Sequence, residues 1–171
     1  MYHYLWVKMY AINTIGYSES MKPHKALQYF RVAQSFAEMS KDPSTKVGCV
    51  LLAEESNHVL SAGFNGFPRG IDETIPSRWE RPEKYSLISH AEANSISQAA
   101  RTGTPLNKSI CVVTLFPCAE CCKLLIQSGI SRVITREPDF DSEKWGDSFR
   151  YSRDMFTEAG IVVQYVSFSD N

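Results

Sequence analysis

Two short runs hold residues able to do chemistry together: His90-Ala91-Glu92 and Pro117-Cys118-Ala119-Glu120-Cys121-Cys122. An imidazole and two thiolates, from His90, Cys118 and Cys121, are donors that zinc accepts, and three protein ligands leave one tetrahedral corner for water. An open corner marks a catalytic zinc rather than a structural one, and the ion brings the pKa of such a water towards neutrality. Glu92, two residues beyond the imidazole, is the carboxylate placed to take that proton and hand it on. A C-x-x-C alone also fits a redox pair or half of a structural zinc site. The upstream His-x-Glu and the proline before the first cysteine favour the catalytic reading. Cys122 offers a fourth thiol that would close the site, but helix neighbours point about 100° apart, which turns Cys122 towards the core. His3, His24 and His58 read as surface or packing residues.

These side chains need elements to bring them together. His90 and Glu92 diverge by about 200° around a helix axis, so they converge only at a helix's first turn. The spacing predicts a helix over 90–101, with Ser89 as its N-cap. A second helix is expected over 118–127, closed by Gly129, with Leu124, Leu125 and Ile130 facing the core. The positive ends of helix dipoles favour thiolates and developing negative charge. Elsewhere, the apolar spacing predicts an amphipathic helix from His24 to Ser40, stopped by Lys41-Asp42-Pro43. Residues 47–63 read as an antiparallel hairpin, 110–115 and 132–135 as strands, 146–159 as a helix and 161–166 as a final strand. The run from Gly63 to Gly70 is irregular, either a plain surface loop or one that lets backbone approach a ligand. Residues 71–86 are a candidate lid or effector-binding segment, with Trp79 and Tyr85 as packing anchors. Residues 136–147 are an irregular connection holding Phe140 and Trp145. Strands alternating with helices after a hairpin predict an α/β three-layer α/β/α sandwich with a mixed five-stranded sheet. Residues 1–22 have no clean period and read as an N-terminal extension of unknown structure; residues 23–171 read as one domain.

Composition narrows the classes. The 171 residues are 43% hydrophobic and 22% charged, as in an ordinary soluble domain, with a net charge of −1. That balance, without a Lys/Arg-rich final helix, argues against a nucleic-acid substrate. Five cysteines and no secretory leader predict a reducing, cytoplasmic setting, with Cys49 and Cys111 as small buried hydrophobes. No apolar run approaches the roughly 20 residues of a membrane span.

Lys41-Asp42-Pro43-Ser44-Thr45-Lys46-Val47-Gly48, Gly63-Phe64-Asn65-Gly66-Phe67-Pro68-Arg69-Gly70, His90-Ala91-Glu92-Ala93-Asn94 and Leu115-Phe116-Pro117-Cys118-Ala119-Glu120-Cys121 together resemble the deoxycytidylate (dCMP) deaminase family, over roughly residues 25–166. The metal motif is common to all cytidine-deaminase-like enzymes; the first two runs are the more discriminating. The resemblance implies a cytidine-deaminase-like fold, one catalytic Zn2+, and hydrolysis of dCMP to dUMP and ammonia, supplying dUMP for dTMP synthesis. It makes His90, Cys118 and Cys121 the zinc ligands and Glu92 the proton shuttle. Asn65 would hold the sugar hydroxyl, Ser44 and Lys46 would lie in the phosphate region, and Phe116 and Pro117 would contact substrate. Phe140 aligns where members often carry a tyrosine, and a phenyl ring can stack but cannot donate to phosphate. Many members are homo-hexamers activated by dCTP and inhibited by dTTP, which would make Gly66, Phe67 and Arg69 effector contacts. The alternatives are another cytosine nucleotide (dCTP or a 5-substituted dCMP), a base in RNA as in tRNA adenosine deaminases, or a zinc protein without activity.

Overall fold

The computed structural model describes residues 21–167. Most of the expected extension, and His3 with it, lies outside the described residues. Helix α1 spans Pro23–Glu38, with proline in its first turn where its missing N–H costs nothing. Strands β1 (Gly48–Ala53) and β2 (Val59–Phe64) form the expected hairpin. A 3-10 turn (Pro76–Trp79) and the short helix α2 (Glu83–Leu87) follow. Then come α3 (Ala91–Thr102), β3 (Ser109–Val113), α4 (Ala119–Gln127), β4 (Ile130–Thr135), α5 (Gly146–Glu158) and β5 (Val162–Tyr165).

The strands form one sheet in the order β2-β1-β3-β4-β5. β1 is antiparallel to both of its neighbours, whereas β3, β4 and β5 run parallel, so the sheet is mixed as expected. Alternation along the strands divides the core in two. Val50, Leu52, Ile110, Val112 and Ile134 pack under Ala26, Phe30 and Ala33 of α1. Cys49, Leu51, Cys111, Val113 and Val133 face α3, α4 and α5. Strands covered on both faces read as continuous apolar runs, which is why β1 and β3 stood out in the sequence.

Close contact between layers depends on two glycines. A Cβ on Gly48 would stand 2.0 Å from the Ala33 carbonyl oxygen, and one on Gly63 would stand 2.7 Å from the Ser95 backbone nitrogen. Gly63 therefore seats α3, whose first turn carries His90 and Glu92, directly on β2. Gly63→Ala is expected to cost about 1–3 kcal/mol by overpacking. It is also expected to lower zinc retention, because relief requires α3 to lift; thermal melting and metal analysis check both.

Several local expectations are corrected. Ser89 is not the N-cap of α3; His90 is. Ser89 instead exchanges two backbone hydrogen bonds with Gly66, at 2.8 and 3.1 Å, closing the loop after β2 against the start of α3. Leu124 is 44% exposed rather than in the core, while Leu125 and Ile130 are buried as expected. Trp79 does anchor its loop, stacked 4.2 Å from the Phe67 ring, but Tyr85 is 46% exposed and anchors nothing of the kind. Val32 and Met39, apolar residues within the expected first helix, are exposed. Among the described residues no helix is long and apolar enough to cross a membrane.

Candidate metal centre and substrate pocket

The ligand-bearing helices begin in the same way. His90 and Cys118 are the N-cap residues of α3 and α4, both in extended backbone conformation (φ −72°, ψ 158° and φ −70°, ψ 168°). An N-cap side chain reaches over the helix end, where it meets residues of the first turn. Glu92 and Cys121 are such first-turn residues, so the divergence of His90 and Glu92 around a helix disappears. Neither cap makes a side-chain capping hydrogen bond, which leaves the imidazole and the thiol available.

The donor atoms of His90, Cys118 and Cys121 lie within 4.8 Å of one another. His90 Nδ1 is 3.5 Å from Cys118 Sγ and 3.3 Å from Cys121 Sγ. A tetrahedral zinc with ordinary Zn–N and Zn–S bonds needs N···S edges of about 3.6 Å, so the donor set fits that ion in both chemistry and spacing. The two thiols share a proton. A hydrogen bond from the Cys121 thiol holds Cys118 down to about 4 against the opposing effect of burial, and the same bond with burial pushes Cys121 up. Metal binding requires that shared proton to leave. Cys122 does not close the site: it is fully buried, and its Sγ meets the Ser152 carbonyl oxygen at 3.5 Å.

Glu92 is 4% exposed, and burial pushes its carboxyl up to about 7, with the neighbouring imidazole opposing. A group that gains and loses its proton near neutral pH suits acid–base work. It lies in the wall of a pocket whose apolar sides are Ile88, Leu115, Phe116, Trp145 and Phe149. Asp42 and Asn65 form a buried polar side. Arg81, Tyr85 and Lys144 form the exposed rim. The Arg81 guanidinium lies 5.5 Å, and the Lys144 ammonium 5.2 Å, from the centre of the Tyr85 ring. Lys144 also lies 5.1 Å from the Trp145 ring. Neither cation has an ion-pair partner among the described residues.

Of the residues expected at the substrate, Phe116 and Asn65 line this pocket, and Ser44, Lys46, Pro117 and Phe140 do not. Ser44 spends its hydroxyl on Asp42 and Lys84, and Lys46 is exposed. Phe140 is turned inward, edge-on to Phe116 at 6.2 Å, with Arg153 over its ring at 5.3 Å. Asn65 has little left to offer a sugar. Its two amide hydrogens go to Asp42 Oδ2 (3.0 Å) and the Thr45 carbonyl (2.9 Å), and its Oδ1 accepts from the Val47 N–H (2.7 Å). Gly66, Phe67 and Arg69 lie outside the pocket; Arg69 donates to Gln98 at 2.6 Å. Sequence reasoning missed Arg81, Lys144 and Trp145. For Lys144 the available signal was a cation beside an aromatic residue, in Lys144-Trp145; Arg81, between Glu80 and Pro82, carried none.

A mixed sheet in this order, with an imidazole, two thiolates and a buried carboxyl at the starts of two adjacent helices, defines a zinc-dependent deaminase. Residues 23–137 match the model of the cytidine and deoxycytidylate deaminase zinc-binding region. An uncharacterized deaminase in the luxG 3' region of Aliivibrio fischeri is 39% identical over 142 residues, covering 82% of this chain and 92% of that protein. Human deoxycytidylate deaminase is 38% identical over 147 residues, covering 80% of this chain and 77% of that one. The dCMP deaminase of cyanophage S-TIM5, in complex with dCMP and dUMP, superposes with a TM-score of 0.70 at 24% identity, over 86% of this chain and 100% of that one, and shares the fold. The chain belongs to the cytidine and deoxycytidylate deaminase family.

Proposed function

We propose that this protein hydrolyses dCMP to dUMP and ammonia, with His90, Cys118 and Cys121 holding zinc and Glu92 carrying protons. The observation that carries the proposal is the buried Glu92 carboxyl in the same pocket wall as His90 and Cys118, two of the three clustered donors. Relatives named deoxycytidylate deaminase support the substrate. When bound, zinc supplies a water acidic enough to serve as nucleophile near neutral pH. Glu92 takes that water's proton and gives it to the ring nitrogen beside C4 as the C4–O bond forms. It then takes the proton of the new C4 hydroxyl and passes it to the amino group, which leaves as ammonia as the C4–N bond breaks and the C4 carbonyl forms. Phe116, Leu115 and Trp145 exclude other water from the base, which strengthens the electrostatics inside.

The phosphate is assigned to Arg81 and Lys144, the two rim cations without ion-pair partners among the described residues, in place of Lys46. Charge-assisted hydrogen bonds are worth about 1.5–3 kcal/mol each. Arg81→Ala is therefore expected to raise KM for dCMP by roughly 10- to 100-fold while leaving KM for deoxycytidine nearly unchanged. Loss of cytosine absorbance, with dCMP, dCTP, CMP and deoxycytidine in parallel, is the assay; no turnover of any of the four overturns the function. A homo-oligomer, hexameric by resemblance and controlled by dCTP and dTTP, completes the proposal. Light scattering and assays with each triphosphate test it.

A further inference from the structure

The most elaborate polar cluster outside the metal centre surrounds Asp42. Its side chain is 2% exposed, and that of its partner Lys84 is 7% exposed. Asp42 Oδ1 accepts from the Lys84 ammonium at 2.7 Å, the Ser44 N–H at 2.8 Å, the Ser44 hydroxyl at 3.0 Å and the Thr45 N–H at 3.1 Å. Its Oδ2 accepts from Asn65 Nδ2 at 3.0 Å. Lys84 donates a second bond, 2.6 Å long, to Ser44 Oγ. One carboxylate thus joins three separate stretches of chain: the loop after α1, the end of β2, and α2.

All three stretches are pocket wall, since Asp42, Thr45, Asn65, Lys84 and Tyr85 line it. α2 is five residues long, too short to be stable by itself, and every residue in it except Lys84 is exposed or half-buried. Its attachment to the body of the protein is therefore polar. Arg81 and Tyr85 flank Lys84 in sequence and form the rim.

We infer that Asp42 and Lys84 are a positioning pair: their buried ion pair fixes α2, and with it Arg81 and Tyr85, at a set distance from the metal centre, so that the pair determines how well the phosphate end of the nucleotide is gripped. The inference rests on the dCMP reading above. It gives Asp42 and Lys84 no contact with the reacting atoms. Burying a charged pair is a poor way to gain stability, since apolar replacements of similar volume often serve as well. Its use here is geometric: through Lys84 the pair ties α2 to Asp42 and Ser44, and through Asp42 to Asn65 at the end of β2.

The test uses the full chain with zinc. Removing one partner leaves the other charge buried, so the informative protein is the double variant Asp42→Asn/Lys84→Met, in which neither charge remains. Hydrogen exchange at the amides of Lys84, Tyr85 and Ile88, which bond to Glu80, Pro82 and Lys84, is expected to quicken at least about 10-fold, with α3 amides unaffected. The preference for dCMP over deoxycytidine is expected to fall by roughly 10-fold, through KM rather than kcat. Unchanged exchange at α2 overturns the inference. Faster exchange with an unchanged preference also overturns it, because the pair would then be structural only. If the unaltered protein does not turn over dCMP, the functional reading has failed, and the exchange measurement alone decides whether the pair holds α2.

Discussion

Glu92→Gln is expected to abolish turnover while leaving zinc bound at one ion per chain. Glutamine keeps the size and a hydrogen-bonding tip but cannot take up or release a proton at working pH. Acid–base catalysis by a positioned side chain contributes about 10²- to 10⁴-fold, so kcat is expected to fall by at least that factor. The loss belongs at the upper end, because the same carboxyl serves both the ring nitrogen and the departing amine. Glu92 is not among the three clustered donors, so metal analysis is expected to be unaltered. A purely structural zinc site would be indifferent to the change. Retained activity in this variant, or loss of zinc from it, would sink the assignment of Glu92 as proton carrier. His90→Ala supplies the contrast, since it removes a donor and is expected to lose metal and activity together.

Lys84→Met is expected to destabilise the fold by about 3–5 kcal/mol at pH 7, because it strands the buried Asp42 carboxylate. For a domain of this length that is a fall in Tm of roughly 10 °C. The pH dependence carries the diagnosis. In the intact protein burial tends to raise the Asp42 pKa, but Lys84, the Ser44 and Thr45 N–H groups and the Ser44 hydroxyl outweigh it and hold the value below 3.8. A depressed folded-state pKa means a contribution that is complete above the unfolded value and lost as pH falls through the folded one. In the variant the lysine is gone and burial gains weight, so protonation relieves a penalty instead of removing a benefit. The stability gap between the two proteins is therefore expected to be widest at neutral pH and to narrow towards pH 4. Urea melts across that range measure it; a gap that stays constant would show that lost packing, not a stranded charge, sets the cost.

The clustering of the metal donors, with Glu92 beside them, was legible because it is local. His-x-Glu and Cys-x-x-Cys each fit in one helical turn, so spacing alone fixes which side chains can converge. The one error there, Ser89 as N-cap, strengthens the point: His90 itself caps α3, as Cys118 caps α4, and capping is what lets a residue two positions away share its target. The lining of the rest of the pocket was not legible. Lys46, Ser44 and Pro117 lie within informative motifs, yet none lines the pocket, and neither does Phe140. Arg81, Tyr85 and Lys144 do, from segments that carry no hydrophobic period and whose placement depends on long-range contacts. Asn65 was expected to face a sugar and is instead tied to Asp42, Thr45 and Val47.

By itself, then, the sequence determined the sheet, its layers and the metal donors. Apolar periodicity and short-range spacing are properties of consecutive residues, and each helix or strand obeys them wherever it comes to lie. Only the tertiary structure decided which cations face the pocket and how its rim is held. That outcome depends on one buried ion pair between Asp42 and Lys84, remote in the chain, and on loops whose conformation is set by what they pack against rather than by their own residues.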